Sequence, residues 1–230
     1  SLSGFGMFLL VQYLTHSRMA AFWAGVAYAA APFHFNHLGG MTAFANEWLA
    51  YFALFALRAF REPGTRLPIT AGVFWALNLY CDLNHGVSAG LILLAITFVE
   101  LFPKRKDRGF IGHLKKFGLI TSSFLMLTGP YLFALFGEMA NPAFLMRPPL
   151  HSSVSQSADL LSYFVPSFMH PVFGKWVEPF YRHITTYNGV HLGGWIEVTT
   201  FAGYSVLVLA VIGVRNQPKT LSRVWLWITI

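Results

Sequence analysis

Polar residues that could perform chemistry are concentrated in three stretches of an otherwise apolar chain. In the first, APFHFNHLGGMTAFANEW, His34 and His37 lie three residues apart and Glu47 follows within an apolar run. Residues at that spacing share one face of a helix. An ionised carboxylate inside a membrane helix is costly, so Glu47 is expected to face a protein interior or a wet cavity. Interfacial hydrogen bonding by the histidines and a bond from Glu47 to a neighbouring helix remain open alternatives.

The second stretch, LYCDLNHGVSAG, brings Asp82 and His85 to the same three-residue spacing. A carboxylate and an imidazole this close can form an acid/base pair or contribute metal ligands. Asn84 and Gly86 are residues that favour a turn. A turn in which Asp82 acts as a cap is therefore an equally good interpretation.

The third stretch lies within a long polar segment, residues 137–196. Its motif SADLL places Asp159 in the first turn of a short helix, beside the positive end of the helix dipole. Asp159 therefore has either a capping or a catalytic role. The motif SFMHP contributes His170, and Glu197 opens the next apolar run. Aromatic residues such as Tyr187 suit either the lipid headgroup level or the face of a sugar ring.

Composition predicts an integral membrane protein. Of the 230 residues, 55% are hydrophobic and only 11% are charged, against about 25% charged in a soluble domain. The window 117–136 has no charged residue over 20 positions, which is about the length needed to cross a bilayer as a helix. The single cysteine, Cys81, excludes an intrachain disulfide and a cysteine-based metal cage.

The apolar runs predict an all-α fold, a polytopic bundle of about seven transmembrane helices with the start of an eighth. The predicted spans are 2–14, 19–33, 41–57, 67–80, 87–102, 117–136 and 198–214, with the last beginning near 223. Six spans thus occupy residues 1–136. An extracytoplasmic loop region with short helices occupies 137–196, and the remaining spans occupy 197–230.

Basic residues predict the orientation of this bundle. Of the 16 Lys and Arg residues, 13 fall in alternate connectors and near the C-terminal end, whereas seven of the nine histidines fall in the other connectors. By the positive-inside rule the basic connectors are cytoplasmic and the histidine-rich ones face outward. The net charge of +7 then reflects topology and contact with anionic lipid, and it gives no support for nucleic-acid binding.

Three parts of the chain together resemble a known superfamily. They are the succession from SGFGMFLLVQYL to AYFALFALRAF, the segment SADLLSYFVPSFMHPVFG, and the span opened by Glu197 and reaching Tyr204. Most of the chain is similar to bacterial polytopic glycosyltransferases of the GT-C superfamily. The resemblance implies transfer of a sugar from a polyprenyl-phosphate carrier to a glycan, lipid or protein acceptor, on the outer face of the inner (plasma) membrane. The need for a divalent cation stays open, and no metal site is assigned.

By the same resemblance, the principal catalytic acid belongs to the first outer loop, and this chain is expected to begin just beyond that loop and the first span. Catalytic candidates within the chain are Glu47, Asp82 and Asp159. Expected substrate-binding residues are His34, His37, His85, His170, Arg147, Arg182, Tyr187 and Glu197. Arginine forms bidentate contacts with phosphate, so Arg147 and Arg182 are expected to hold the carrier phosphate; headgroup anchoring is the alternative.

Two other functions use the same features. A multi-helix transporter also has interrupted helices and an intramembrane acid, although it would place them near the middle of the membrane. A non-catalytic relative, or a factor for assembly of a lipid-linked polymer, would share the architecture without the reaction. An acidic residue in the outer loop upstream of Ser1 would favour the enzyme over both.

Overall fold

A computed structural model describes residues 1–30, 47–101, 109–140, 164–166, 172–184, 186–187, 190–191, 204, 208, 211–212 and 215. The described helices are α1 (Leu2–Thr15), α2 (Arg18–Ala29), α3 (Glu47–Arg61), α4 (Arg66–Cys81), α5 (Leu83–Leu101), α6 (Gly109–Met139) and α7 (Gly174–Ile184). A two-residue strand pair, β1 (Thr186–Tyr187) and β2 (Val190–His191), is antiparallel. Apart from this pair, the regular structure of the described residues is all-α, as the apolar runs predict.

The described residues belong to two compact units. Helices α1 to α6 lie in the first unit, and α7 with the strand pair lies in the second. In the part of the chain that the structure describes, two helices are long and apolar enough to cross a membrane: Leu83–Glu100 within α5 and Phe110–Met139 within α6. Helix α1 is apolar but shorter.

Helix α3 is the central helix of the first unit, in contact with α1, α4, α5 and α6. Its side chains Phe52, Leu57 and Phe60 are almost completely buried, together with Leu93 of α5 and Ile120 of α6. Alanines fill most of the remaining buried positions of α3, and small side chains allow neighbouring helices to approach closely. The packing of α3 therefore determines where its two ends, and the polar residues on them, are held.

Glycines permit two close helix crossings. A Cβ on Gly25 of α2 would lie 2.7 Å from the carbonyl oxygen of Gly4 in α1. A Cβ on Gly72 of α4 would lie 2.6 Å from the carbonyl oxygen of Ile120 in α6 and would also strike Ser123. Contacts this short are not tolerated by a real Cβ. Both helix pairs consequently depend on glycine at these positions.

Large apolar side chains are exposed on the outer side of α5 and α6. On α5, Leu91, Leu94 and Phe98 are about three-fifths exposed. They follow the spacing of one helix face, while Leu93 on the opposite face is buried. On α6, Met126 and Phe133 are 86% and 83% exposed. Polar residues would occupy such positions in water, so these surfaces suit contact with lipid.

The second connector differs from the interpretation of Asn84 and Gly86 as a turn. Helix α4 ends at Cys81 and α5 begins at Leu83, so Asp82 is the corner, and both turn-favouring residues lie inside α5. A Cβ on Gly86 would lie 2.6 Å from Leu79 Cδ1 and 3.0 Å from Leu79 Cα. Glycine is needed here for close packing between α4 and α5 rather than for turn formation.

Helix α6 also begins earlier than the apolar window suggests, at Gly109 instead of near 117. The additional turns contain His113, Lys115 and Lys116. Lys116 Nζ donates hydrogen bonds to the carbonyl oxygens of Phe60 (3.3 Å) and Glu62 (2.8 Å). The polar start of α6 is therefore tied to the C-terminal end of α3.

Candidate functional site

Three of the predicted site residues have described side chains: Glu47, Asp82 and His85. Arg182 lies in α7 and Tyr187 in β1, within the second unit. The other predicted site residues, His34, His37, Arg147, Asp159, His170 and Glu197, lie outside the described residues.

Glu47 occupies the first turn of α3 and is half-buried. Its carboxylate lies within electrostatic range of the Tyr28 hydroxyl at the end of α2 and of the Cys81 thiol at the end of α4. A negative charge in the first turn of a helix is favoured by the helix dipole. The helix dipole therefore stabilises Glu47 at this position. Its carboxylate lies near neighbouring helices, and an ionised group is costly in an apolar environment.

Asp82 caps two helices at once. Its backbone N–H donates to the carbonyl oxygen of Asn78 at 3.1 Å, which closes the last turn of α4. Its side-chain Oδ1 accepts from the backbone N–H of Asn84 at 2.7 Å, and its carbonyl oxygen accepts from the N–H of Gly86 at 3.1 Å. The interpretation of Asp82 as a cap is thus what the hydrogen bonds show.

Glu47 lies near the corner that contains Asp82. Both lie within electrostatic range of the Cys81 thiol, although 35 positions separate the two acids in the sequence. The side chain of Trp48 also lies close enough to the Cys81 thiol to interact with it. The start of α3, which contains Glu47, therefore lies near the corner between α4 and α5, where Asp82 is located.

Two buried polar atoms beside this corner have no hydrogen-bond partner among the described residues. They are Nδ1 of His85, which is half-buried, and Oδ1 of Asn78, whose side chain is fully buried. The Asn78 amide group itself donates to the carbonyl oxygen of Phe74 at 2.8 Å. An unpaired buried polar atom costs about 1–3 kcal/mol, so each is a position where a bound group would gain a hydrogen bond.

Aromatic residues form the apolar side of this cluster. The ring of Phe74 stacks on Tyr51 with centroids 5.3 Å apart, and its centroid is 5.9 Å from that of Trp48. Phe74, Asn78 and Cys81 are spaced for one face of α4, and Trp48 interacts with the first and the last of them. Asn78 therefore lies on the α4 face that approaches the start of α3. Trp48, Asn78, Cys81, Asp82 and His85, with Glu47, are called the corner cluster below.

Asn78 and Trp48 were missing from the residues that the sequence nominates. Asn78 had a detectable signal, because it is an isolated amide within the apolar run of α4, where a polar group needs a partner. Trp48 had none, because Trp beside an acid at the end of an apolar run is also typical of residues at the lipid headgroup level.

The opposite end of α3 carries ion pairs. Arg58 forms a bidentate pair with Glu62 at 2.8 and 3.0 Å, and Arg61 pairs with Glu100 of α5 at 2.9 Å. The hydrogen bond from Arg58 holds the pKa of Glu62 below its usual value. Together with Lys116, these contacts place basic groups at the C-terminal end of α3, where the helix dipole favours positive charge.

Comparison with known protein families, curated proteins and solved structures gives no match for this chain. Among the described residues, no group of three or more His, Cys, Asp and Glu side chains is arranged to hold a metal ion.

The corner cluster offers two carboxylates that can accept protons, an imidazole, and an amide oxygen that can accept a hydrogen bond.

Proposed function

We propose that the chain is the core of a polytopic glycosyltransferase of the inner membrane of a bacterium, and that the corner cluster belongs to its extracytoplasmic sugar-transfer site. The donor is a sugar on a polyprenyl-phosphate carrier, and the acceptor is a glycan, a lipid or a protein. The proposal is carried by one observation: Glu47 at the start of α3 lies within electrostatic range of Cys81, the residue before Asp82, whereas the ion pairs of Arg58 and Arg61 lie at the other end of α3.

The membrane part of the proposal is that the other apolar runs span the bilayer together with the two span-length helices. Helices α1 to α4 pack with α5 and α6 in one unit, so a bilayer that contains α5 and α6 also surrounds this unit. Lys and Arg residues in short connectors remain on the cytoplasmic side. The C-terminal end of α3 carries Arg58 and Arg61, and the start of α6 carries Lys116. The corner cluster, at the opposite end of α3, therefore faces outward.

The chemistry assigned to the cluster is proton transfer. In the reaction, the acceptor hydroxyl forms a bond to the anomeric carbon, the bond from that carbon to the phosphate oxygen breaks, and the lipid phosphate leaves. The hydroxyl proton has to pass to a base, for which a carboxylate is suitable. Glu47 is the better candidate of the two acids, because Oδ1 of Asp82 already accepts from the N–H of Asn84.

A transfer assay with the full-length protein in inner-membrane vesicles tests this proposal. The measurement is the transfer of a radiolabelled sugar from polyprenyl-phosphate in the parent protein, Glu47→Gln and Glu138→Gln. Glu138 is a matched control, because it is an exposed acid near the end of α6. Glu47→Gln should lower transfer on the order of 10²-fold, as removal of a group that handles a proton typically does. Transfer at the parent rate by a folded Glu47→Gln variant would rule out this role.

Transport is the second candidate, and specific features of the helices favour it. Pro130 lies inside α6, and the Tyr80 hydroxyl donates to the carbonyl oxygen of Leu127 at 2.7 Å, three residues before that proline. The hydroxyl oxygens of Thr97 and Thr121, in α5 and α6, have no hydrogen-bond partner among the described residues. A proline inside an apolar helix and polar atoms available nearby are also features that transporters use. Loss of solute uptake in Thr97→Val and Thr121→Val, with sugar transfer unchanged or absent, would favour transport.

A further inference from the structure

Helix α7 has an amphipathic sequence, GKWVEPFYRHI. Phe173, Trp176, Val177 and Phe180 recur at the spacing of one helix face. Phe173 belongs to this face because its carbonyl oxygen accepts from the N–H groups of Trp176 and Val177, at 3.0 and 3.2 Å. The polar residues Lys175 and Glu178 lie on the other face by the same spacing.

The apolar face of α7 is only partly covered within its own unit. Val177 and Phe180 are half-buried, whereas Trp176 is 80% and the adjoining Val172 68% exposed. Phe173 is also exposed, and its ring lies 6.4 Å from that of Trp176. The beginning of α7 therefore presents a continuous apolar surface formed by Val172, Phe173 and Trp176.

We propose that α7 is an interfacial helix that lies flat on the outer membrane surface, with Val172, Phe173 and Trp176 inserted into the boundary between headgroups and acyl chains. The partner is the lipid bilayer itself. This inference rests on the membrane part of the proposed function, and it adds a second kind of membrane attachment to the spanning helices. An amphipathic helix of this kind buries its apolar face about 5–10 Å into the interface.

Residue types on α7 favour a lipid interface over a protein partner or the hydrocarbon core. Trp is enriched at the headgroup level because its ring is apolar and its N–H needs a polar partner. Lys175 is exposed on the polar face beside Trp176, where its ammonium group can reach lipid phosphates. Glu178, in contrast, would be expensive to insert deeply. Two helices of the first unit are long and apolar enough to cross such a bilayer.

The test uses single fluorescent labels in the complete protein, reconstituted in lipid nanodiscs. Cys81 is first replaced by Ala, which removes the single cysteine. The environment-sensitive dye NBD is then attached to Trp176→Cys, to Lys175→Cys as the opposite-face control, or to Leu94→Cys on the exposed face of α5 as the spanning control. Each label is quenched by nitroxide lipids, with the nitroxide near the headgroup or near the bilayer centre, and separately by aqueous iodide.

The label at position 176 should be quenched at least about twofold more by the shallow nitroxide than by the deep one, as expected for an interfacial helix. Iodide should quench it less than it quenches the label at position 175. Equal iodide quenching at 175 and 176, or protection of 176 from both iodide and lipid nitroxides, would overturn the interfacial helix; the second result indicates coverage by protein. If the label at position 94 also escapes lipid quenching, the membrane assignment itself fails, so the two failures are distinguishable.

Discussion

Oδ1 of Asp82 accepts a hydrogen bond from the backbone N–H of Asn84 at 2.7 Å, at a corner where Asp82 alone separates α4 from α5. The same carboxylate lies within electrostatic range of the Cys81 thiol, as does Glu47. Asp82 therefore has a structural role, capping a helix, and a charge that reaches the corner cluster. Substitutions at this position have to separate the two roles before either can be assigned to function.

Asp82→Asn and Asp82→Ala make this separation. The asparagine variant keeps a side-chain oxygen that can accept from the Asn84 N–H, whereas the alanine variant loses it. We expect Asp82→Ala to lower the free energy of unfolding by about 1 kcal/mol, the usual cost of removing an N-terminal cap, and Asp82→Asn to have a much smaller effect. The measurement is unfolding of the protein in mixed detergent micelles.

The control for this prediction is Asn84→Ala, because only the backbone N–H of Asn84 takes part in the hydrogen bond. It should leave stability nearly unchanged. If Asp82→Asn destabilises the protein as much as Asp82→Ala does, the charge rather than the cap stabilises the corner. Loss of sugar transfer in Asp82→Asn at parent stability would give Asp82 a direct part in the reaction.

Sequence patterns predicted the described helices of the first unit because a helix pairs the backbone N–H and C=O groups of an apolar run within the run itself. The first six predicted spans each overlap a described helix. The boundaries were less accurate where tertiary contacts extend a helix. Asn84 and Gly86 favour a turn by local preference, yet they are helical because Gly86 packs against Leu79. Such a contact between two helices has no signature in either segment alone.

The candidate site was predictable only in part, for a similar reason. Glu47 and Asp82 stand out as acids in or beside apolar runs, and their shared position at one end follows from counting spans. The proximity of Glu47 and Trp48 to Cys81 depends on how α3 packs against α4, which no spacing within the sequence indicates. The convergence of His34, His37, Asp159 and His170 on the same site concerns residues outside the described part of the chain, and it stays a prediction.

Gly72 should be intolerant of any side chain. A Cβ at this position would lie 2.6 Å from the Ile120 carbonyl oxygen and strike Ser123, so Gly72→Ala has to separate α4 from α6. We expect a loss of about 1–3 kcal/mol of unfolding free energy, which is typical of overpacking. Thermal unfolding in detergent, followed by circular dichroism, measures the change.

Gly118→Ala is the matched control, because a Cβ on Gly118 in α6 meets nothing within 4 Å. Alanine is favoured over glycine in helices by about 0.5–1 kcal/mol, so this variant should be as stable as the parent or slightly more stable. Equal stability of the Gly72→Ala and Gly118→Ala variants would contradict the close crossing of α4 and α6.

The pair of Arg58 and Glu62 predicts a pH-dependent contribution to stability. The Arg58 hydrogen bond lowers the pKa of Glu62 in the folded protein. The contribution is therefore present above the ordinary carboxyl pKa and is lost as the pH falls through the lowered, folded-state value. Both side chains are about a third exposed, so solvent screening limits the pair to about 0.5 kcal/mol.

The measurement is the difference in unfolding midpoint between the parent and Glu62→Gln over a pH series at low salt. The difference should be small but reproducible near neutral pH, and it should shrink as Glu62 of the parent is protonated. High salt should reduce it as well, because exposed charges are screened. A difference that grows on acidification would show that the pair does not stabilise the fold.

The two ends of the first unit should lie on opposite sides of the membrane. Asn84 and Lys115 are exposed residues at the corner and near the start of α6, and the positive-inside rule assigns the basic end to the cytoplasm. In the Cys81→Ala background, spheroplasts are treated with a membrane-impermeant maleimide. Asn84→Cys should react in intact spheroplasts, whereas Lys115→Cys should react only after permeabilisation.

The side-chain changes are mild, because no contact of the Asn84 or Lys115 side chain contributes to the corner or to the ion pairs described above. Reaction of Lys115→Cys with protection of Asn84→Cys would invert the topology. It would place the corner cluster in the cytoplasm, where an extracytoplasmic polyprenyl-phosphate donor could not reach it.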